Sequence, residues 1–349
     1  MRWWTTLGQR EIVVQRFLHQ QKLVVPFMEG SELNNRDYSI LLERAIVDFG
    51  ADNSFGQAAE KFREHYGIEV PGIAIQLITK KHAEATYVMQ EEEATLGGKS
   101  KGRCLIGEMD GAMIPMVIFE ANAHADKRKW RKTCWKEARL SVAREHKSLT
   151  KIFLATLGST ERAGDLLERC AKRLGYNEQT KIHCLGDGAF WIQEQVERKF
   201  GTQGSYLVDF FHLSEYLAGA AEKSGGEAKN WLRARQEELK QGQLDKVVAQ
   251  LKKCDGAKEE NGPVRKCLRY IENRPGQFKY KEALMAELPI GSGEIESGNR
   301  SVVQKRLKIP GAWWKPQTAE WMLALRCMRM NGDWERYWRR VSPIFARAA

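Results

Sequence analysis

Cys104-Leu-Ile-Gly-Glu-Met-Asp-Gly-Ala-Met-Ile-Pro-Met-Val-Ile-Phe119 sets two apolar runs around one aspartate. The runs, Cys104–Met109 and Met113–Phe119, flank Asp110-Gly111, a turn dipeptide, and so read as an antiparallel hairpin. Ala138–Val142 is a candidate third strand, and Arg162–Leu174 reads as a helix. Lys181–Gly186 is a buried strand ending at Asp187-Gly188-Ala189, with a helix, Phe190–Phe200, behind it. Tyr206–Asp209 is a short strand leading into a helix from about Leu213. A hairpin followed by strands alternating with helices predicts a mixed α/β sheet. From about Leu213 to Ala286 the strand texture vanishes and Glu, Lys, Gln, Ala and Leu dominate, which predicts an all-helical insertion. The chain from Pro289 onward reads as helical, basic and tryptophan-rich.

Upstream, residues 1 to about 95 read as mostly helical. Apolar residues at Ile40, Leu41, Leu42, Ala45, Ile46 and Phe49 follow a helical period over Asp37–Phe49. Asn53-Ser54 caps a second helix, Phe55–Tyr66, which Gly67 stops, and a third runs from about Gly72 to Glu84. Helix, tight turn, helix suggests a DNA-binding helix-turn-helix, although plain packing produces the same pattern. Glu91-Glu92-Glu93 marks a polar boundary. Gly97-Gly98-Lys99-Ser100 imitates a phosphate loop, but the required earlier glycine position holds Glu93.

The chain has 349 residues, a length that suggests about two domains, and a formal net charge of +11. An excess of basic residues favours an anionic partner, nucleic acid first. No apolar run is long enough to span a membrane, and the start does not read as a signal peptide. Seven cysteines without a Cys-x-x-Cys pair point to a reducing cytoplasm rather than to a disulfide or zinc framework.

Three acidic positions stand out by placement: Asp110 and Asp187 at strand ends, and Glu296 in the helix start Gly291-Ser-Gly-Glu-Ile-Glu-Ser297. Carboxylates converging above a sheet edge repel one another unless cations lie between them, which implies Mg²⁺ or Mn²⁺. Two such ions suit phosphodiester chemistry. The alternative for each is structural: a strand-end turn, or a first-turn glutamate favouring the helix dipole. Glu294 competes with Glu296, since residues two apart on a helix are about 200° apart and cannot both face one metal pair. Asp209 and His212 form Asp-x-x-His, which read locally is a helix cap at Asp209 with a packed His212. Residues 123–151 carry ten Lys or Arg against three Asp or Glu, and residues 286–349 carry eleven against six. Lys127, Arg128, Lys129, Arg131 and Lys132 in the first stretch, and Arg300, Arg306 and Lys308 in the second, are candidate DNA contacts. A solvated basic face is the alternative. Trp313 and Trp314, beyond the helix-breaking Pro310-Gly311, are candidates either for stacking on a base or for core packing.

The ordered motifs Glu108-Met-Asp-Gly-Ala-Met-Ile-Pro115, Trp135-Lys-Glu-Ala-Arg-Leu140, Gly186-Asp-Gly-Ala-Phe-Trp191, Val208-Asp-Phe-Phe-His-Leu-Ser-Glu-Tyr-Leu217 and Gly291–Ser297 resemble a bacterial insertion-sequence transposase of the DDE type. Arg306-Leu-Lys308, Gly311 and Trp313 or Trp314 complete the pattern, which covers roughly residues 100–340. The resemblance implies a ribonuclease-H-like mixed five-stranded sheet flanked by helices. It divides the chain into a helical N-terminal region (1–95), a catalytic core with a helical tail (100–212 and 287–349) and a helical insertion (213–286). It makes Asp110, on the first strand, and Asp187, just after the fourth, metal ligands. The family pattern Gly-Ser-Gly-x-x-Glu selects Glu296 as the third, leaving Glu294 as a helix-end charge. Asp209 and His212 are similar to the signature of Mutator-like relatives, which makes His212 a phosphate contact or base-orienting residue. Implied with these are two Mg²⁺ or Mn²⁺ ions, double-stranded DNA as partner (transposon ends and target), and a homodimer or higher oligomer on DNA in the bacterial cytoplasm at the nucleoid. Two alternatives are a non-catalytic DNA-binding protein derived from a transposase and another ribonuclease-H-like nuclease.

Overall fold

The computed structural model describes residues 2–26, 38–93, 104–120, 126–257 and 259–346. The segment Gly97–Ser100 lies outside them. The beginning of the chain is not helical as expected. It forms two antiparallel hairpins, β1 (Arg2–Thr5) with β2 (Gly8–Glu11) and β3 (Phe17–His19) with β4 (Lys22–Val24). Arg2-Trp-Trp-Thr5 is rich in residues that suit a pleated surface. The second hairpin turns at Gln20 and Gln21, both with positive φ (48° and 61°), although that pair carries no turn signature.

Three helices follow. α1 (Ile40–Asp52) starts where Ser39 Oγ accepts the Leu42 N–H. α2 (Phe55–Tyr66) has a full capping box between Ser54 and Gln57 and ends at left-handed Gly67. α3 (Gly72–Glu92) runs past the expected stop at Glu84, because Ile75, Ile78, His82, Thr86 and Met89 keep one face buried along its whole length.

A five-stranded sheet comes next: β5 (Leu105–Phe119), β6 (Arg131–Glu145), β7 (Lys151–Thr156), β8 (Ile182–Gly186) and β9 (Gly204–Val208), in the order β7-β6-β5-β8-β9. β6 and β7 are antiparallel, whereas β5, β8 and β9 run parallel, so the sheet is mixed. The expected hairpin around Asp110-Gly111 does not form. β5 passes straight through the dipeptide, which places Asp110 inside a strand and not at its end. Gly111 is absent from the positive-φ glycines, so it makes no turn. A Cβ there would lie 2.2 Å from Glu137 Oε1, which identifies the glycine as a close-approach position. The candidate strand Ala138–Val142 is the middle of the longer β6, and β7 was not anticipated.

Helices α4 (Thr160–Arg173) and α5 (Phe190–Phe200) pack Leu166, Leu167 and Val196 against Leu105, Ile182 and Cys184. The opposite face, with Ile106, Leu185 and Leu207, is covered by α6 (Phe210–Ala221) and by the helices α7 (Ala228–Lys240), α8 (Leu244–Leu251), α9 (Pro263–Glu272) and α10 (Tyr280–Met285). β8 is therefore buried on both faces, which accounts for its continuous apolar run. α11 (Gly293–Gly298) continues into a wider π-helical turn, Asn299–Gln304, and α12 (Pro316–Met330) and α13 (Trp334–Val341) complete the described chain.

The chain divides into two compact units. The first joins residues 1–94, 113–136 and 300–349, and the second residues 95–112 and 137–299. Residues 300–349 thus group with the N-terminal helices, and the insertion groups with the sheet.

Candidate active site

Strand alternation puts Ile106, Glu108 and Asp110 on one face of β5. α11 crosses that face. The Ile295 N–H donates to Glu108 Oε2 at 2.8 Å, and Asn299 Nδ2 donates to Asp110 Oδ2 at 2.6 Å. Glu108 and Asp110 are two strand residues apart, about 6.6 Å, and Ile295 and Asn299 are one helical turn apart, about 6 Å. The two repeats match, and the match fixes the helix register on the strand.

That register separates the two glutamates. Glu294 is held by Lys151 of β7 and Arg144 of β6, so its flank of α11 faces the β6–β7 side. Gly298 lies on the same flank, where a Cβ would meet Leu140 and Phe153. Glu296 projects from the other flank, the β8 side. It is exposed and forms no ion pair among the described residues.

Asp187 follows β8 directly. Its Oδ1 accepts the Ala189 N–H at 2.8 Å, and its carbonyl accepts the Tyr270 hydroxyl at 2.5 Å. Arg274 Nε donates to the Gly188 carbonyl at 2.7 Å and lies 3.8 Å over the Tyr270 ring. The Gly188 N–H donates to the Tyr206 hydroxyl at 3.1 Å. Gly188 has φ +85°, and a Cβ would lie 2.4 Å from Arg274 Nε, so this tight loop requires glycine.

Burial pushes the Asp110 carboxyl above the usual range. The Gly111 N–H and Asn299 pull it down, and the negative charges of Asp187 and Glu137 push it up. Asp110 therefore lies within electrostatic reach of Asp187, and no Lys or Arg forms an ion pair with either among the described residues. Burial pushes Glu108 up to about 8, against the pull of the Ile295 N–H. Among the described residues no three His, Cys, Asp or Glu side chains are gathered as a metal-holding group. The structure thus brings Asp110 and Asp187 together and puts Glu296 on the adjoining flank of α11. Their hard oxygen donors, without an ion pair among the described residues, suit Mg²⁺ or Mn²⁺.

Asp209 caps α6 by accepting the Phe211 and His212 N–H groups. Its second oxygen accepts both the N–H and the hydroxyl of Ser292, immediately before α11. The His212 ring centroid lies 5.6 Å from that of Tyr216 and 5.8 Å from that of Tyr270, and its Nδ1 lies 3.8 Å from Glu215 Oε2. Sequence reasoning missed Glu108, Asn299, Tyr270 and Arg274. The i, i+4 pair Tyr270 and Arg274 was visible only as ordinary helix composition.

The candidate DNA contacts all fall in the other compact unit. Lys129, Arg131 and Lys132 are exposed between β5 and β6, next to Lys127 and Arg128 in the same short turn and strand start, and Lys132 pairs with Glu120 at 3.4 Å. Arg300 and Lys308 are exposed. Arg306 is not a surface contact. It is 2 % exposed, donates to the Gly50 carbonyl at 3.0 Å and stacks between the Phe55 and Trp314 rings. Trp314 is also buried, its Nε1 donating to the Leu307 carbonyl, whereas Trp313 is exposed. The helix pair α2–α3 has the expected order. Its α3 is buried along one face.

A family model described as "Uncharacterised protein family (UPF0236)" matches residues 34–342, and the chain belongs to that family. Two UPF0236 proteins of Caldanaerobacter subterraneus subsp. tengcongensis are each 29 % identical over 153 residues, 44 % of this chain. The match spans only about a third of those relatives, 31 % and 32 % of their lengths. The name of one carries eleven locus designations. Among solved structures, a Drosophila P element transposase strand transfer complex aligns with 90 % of this chain and 83 % of its own, at 9 % identity and TM-score 0.34. No helix among the described residues is long and apolar enough to cross a membrane.

Proposed function

We propose that the chain is a DDE-type DNA transposase with a ribonuclease-H-like core, which cleaves transposon ends and joins the freed 3′-OH to target DNA. The observation that carries this reading is the pairing of Asp110, inside the central strand β5, with Asp187, at the end of the adjacent parallel β8. A helix bearing Glu296 is registered against that strand. The sheet order, with β6 antiparallel to β7 and with β8 and β9 parallel to β5, supports the same core. A relative whose one name covers eleven loci has the copy number of a self-propagating element.

Asp110, Asp187 and Glu296 would hold two Mg²⁺ or Mn²⁺ ions, whose chemistry would be to activate the attacking oxygen and neutralise charge at the leaving oxygen. The rest is positioning. Asn299 and the Gly111 N–H orient Asp110, the Ala189 N–H orients Asp187, and Asp209 ties the start of α11 to the end of β9. His212 stands beside Tyr270, which grips the Asp187 loop, and would serve as a phosphate contact. The partner is double-stranded DNA, handled as a homodimer or higher oligomer in the cytoplasm.

Nicking of supercoiled plasmid and of DNA carrying the flanking genomic ends, in Mn²⁺, Mg²⁺ or EDTA, tests the reading. Wild type nicks with metal only. Asp187→Ala loses nicking by at least a hundredfold and keeps DNA affinity within a few-fold. An Asp187→Ala protein that nicks at the wild-type rate sinks the site. Salt-sensitive binding with no nicking of either substrate favours the non-catalytic alternative.

A further inference from the structure

A cleft of about 500 Å³ lies within the first compact unit, between α2, α3, the 309–315 loop and the start of α12. That volume is within the usual range for small-ligand sites, ~300–1,000 Å³. Three cations line it, Lys80, Arg306 and Lys315, and no Asp or Glu does. Arg306 is 2 % exposed, has no carboxylate partner, and its Nη2 has no hydrogen-bond partner among the described residues. Burial alone pushes its pKa down to about 10, so it remains charged at neutral pH. A buried, uncompensated guanidinium at a cleft wall calls for an anion. Two helix N-termini add to this field: Ser54 and Phe55 at the start of α2, and Lys315 and Thr318 at the start of α12.

The walls are also aromatic. Phe55 and Trp314 sandwich Arg306, and the exposed Trp313 supplies a further ring. A simple anion has no use for that surface, and an apolar ligand has no use for three cations. A base with an attached phosphate uses both. We propose that this cleft binds a single unpaired nucleotide, its base against Trp313 and its phosphate in the field of Lys80, Lys315 and Arg306. The source is either an extrahelical nucleotide of a DNA strand or a free nucleotide. The proposal deepens the DNA-processing reading, and its test needs no cleavage.

The full chain carrying Asp187→Ala is titrated with dAMP, with deoxyadenosine, and with two duplexes, one fully paired and one holding a single unpaired 2-aminopurine. In the free-nucleotide case dAMP binds and deoxyadenosine binds at least tenfold more weakly. In the DNA case the duplex with the unpaired base binds about tenfold tighter than the paired one, and its 2-aminopurine fluorescence is quenched. In either case Trp313→Ala removes the preference, Trp313→Phe restores most of it, and Lys80→Gln weakens binding several-fold. Lys80 and Trp313 are both exposed, so these variants fold. Equal binding of both duplexes together with no dAMP binding overturns the proposal, as does binding indifferent to Trp313→Ala. Either result leaves the carboxylate site, tested by nicking, untouched.

Discussion

Glu294 and Glu296 are two residues apart in sequence and on opposite flanks of α11. Glu294 is already neutralised by Lys151 and Arg144, so its charge is used within the fold. Glu296 has no such partner among the described residues and projects from the opposite flank, exposed. Removing the charge of Glu294 therefore costs some stability, about 1 kcal/mol for a partly buried ion pair, and little chemistry. Plasmid nicking by Glu294→Gln should stay within about threefold of wild type, and Glu296→Gln should fall by at least a hundredfold. The reverse order would place the wrong glutamate in the site. Spacing alone left this choice open, and only the motif pattern favoured Glu296. The physical discriminator, the basic pair on β6 and β7, depends on strand order and was not visible in the local sequence. Asn299 was invisible for the same reason, since its bond to Asp110 exists only once α11 lies across β5.

Single elements were legible where their signals are local. α2 runs from Phe55 to Tyr66 as read, because the Ser54–Gln57 box and Gly67 are both written in the chain. α5 was likewise read correctly. β5 was misread because Asp110-Gly111 looks like a turn, and the reason for glycine there is the Glu137 carboxylate of the next strand. The helical insertion was legible as helical, but its grip on the Asp187 loop was not. Tyr270→Phe on α9 deletes one hydrogen bond to the Asp187 carbonyl and keeps the ring stack with Tyr216. It should lower nicking about three- to tenfold, leave DNA affinity unchanged and shift the melting temperature by only a few degrees. An unchanged rate would mean the insertion does not position that loop. At the seam of α1, α3 and α13, His82 Nε2 donates to Glu43 and His82 Nδ1 accepts from the Tyr337 hydroxyl, the arrangement of a neutral imidazole. Burial holds His82 below its ordinary 6.5, and the His82 and Lys81 partners hold Glu43 below its ordinary 4.5 against the upward push of burial. In both cases the unfolded chain takes up protons first, so this stability is present above pH 6.5 and is lost as pH falls. The melting temperature of wild type should drop between pH 6.5 and 5, and His82→Gln, less stable at pH 7, should flatten that slope. A slope unchanged in His82→Gln would assign the acid sensitivity to other carboxylates.

Over the whole molecule the two proposed jobs are divided between the two compact units. Asp110, Asp187, Glu296 and His212 all belong to one unit, and every basic or tryptophan residue proposed to contact DNA belongs to the other. Chemistry and affinity should then respond to different substitutions. Each phosphate contact made by a cation contributes about 0.9 to the slope of log affinity against log salt. Arg131 and Lys308 are exposed and form no ion pair among the described residues, whereas Lys132 is already paired with Glu120. Filter binding across 50–300 mM salt should give the double variant Arg131→Ala, Lys308→Ala a slope lower by between about 1 and 2, and Lys132→Ala a smaller change. Asp187→Ala should keep the wild-type slope, because a carboxylate that serves the chemistry releases no counterions from DNA. A slope altered by Asp187→Ala and unmoved by the double variant would transfer DNA binding to the sheet unit and leave the basic residues between β5 and β6 as a solvated face.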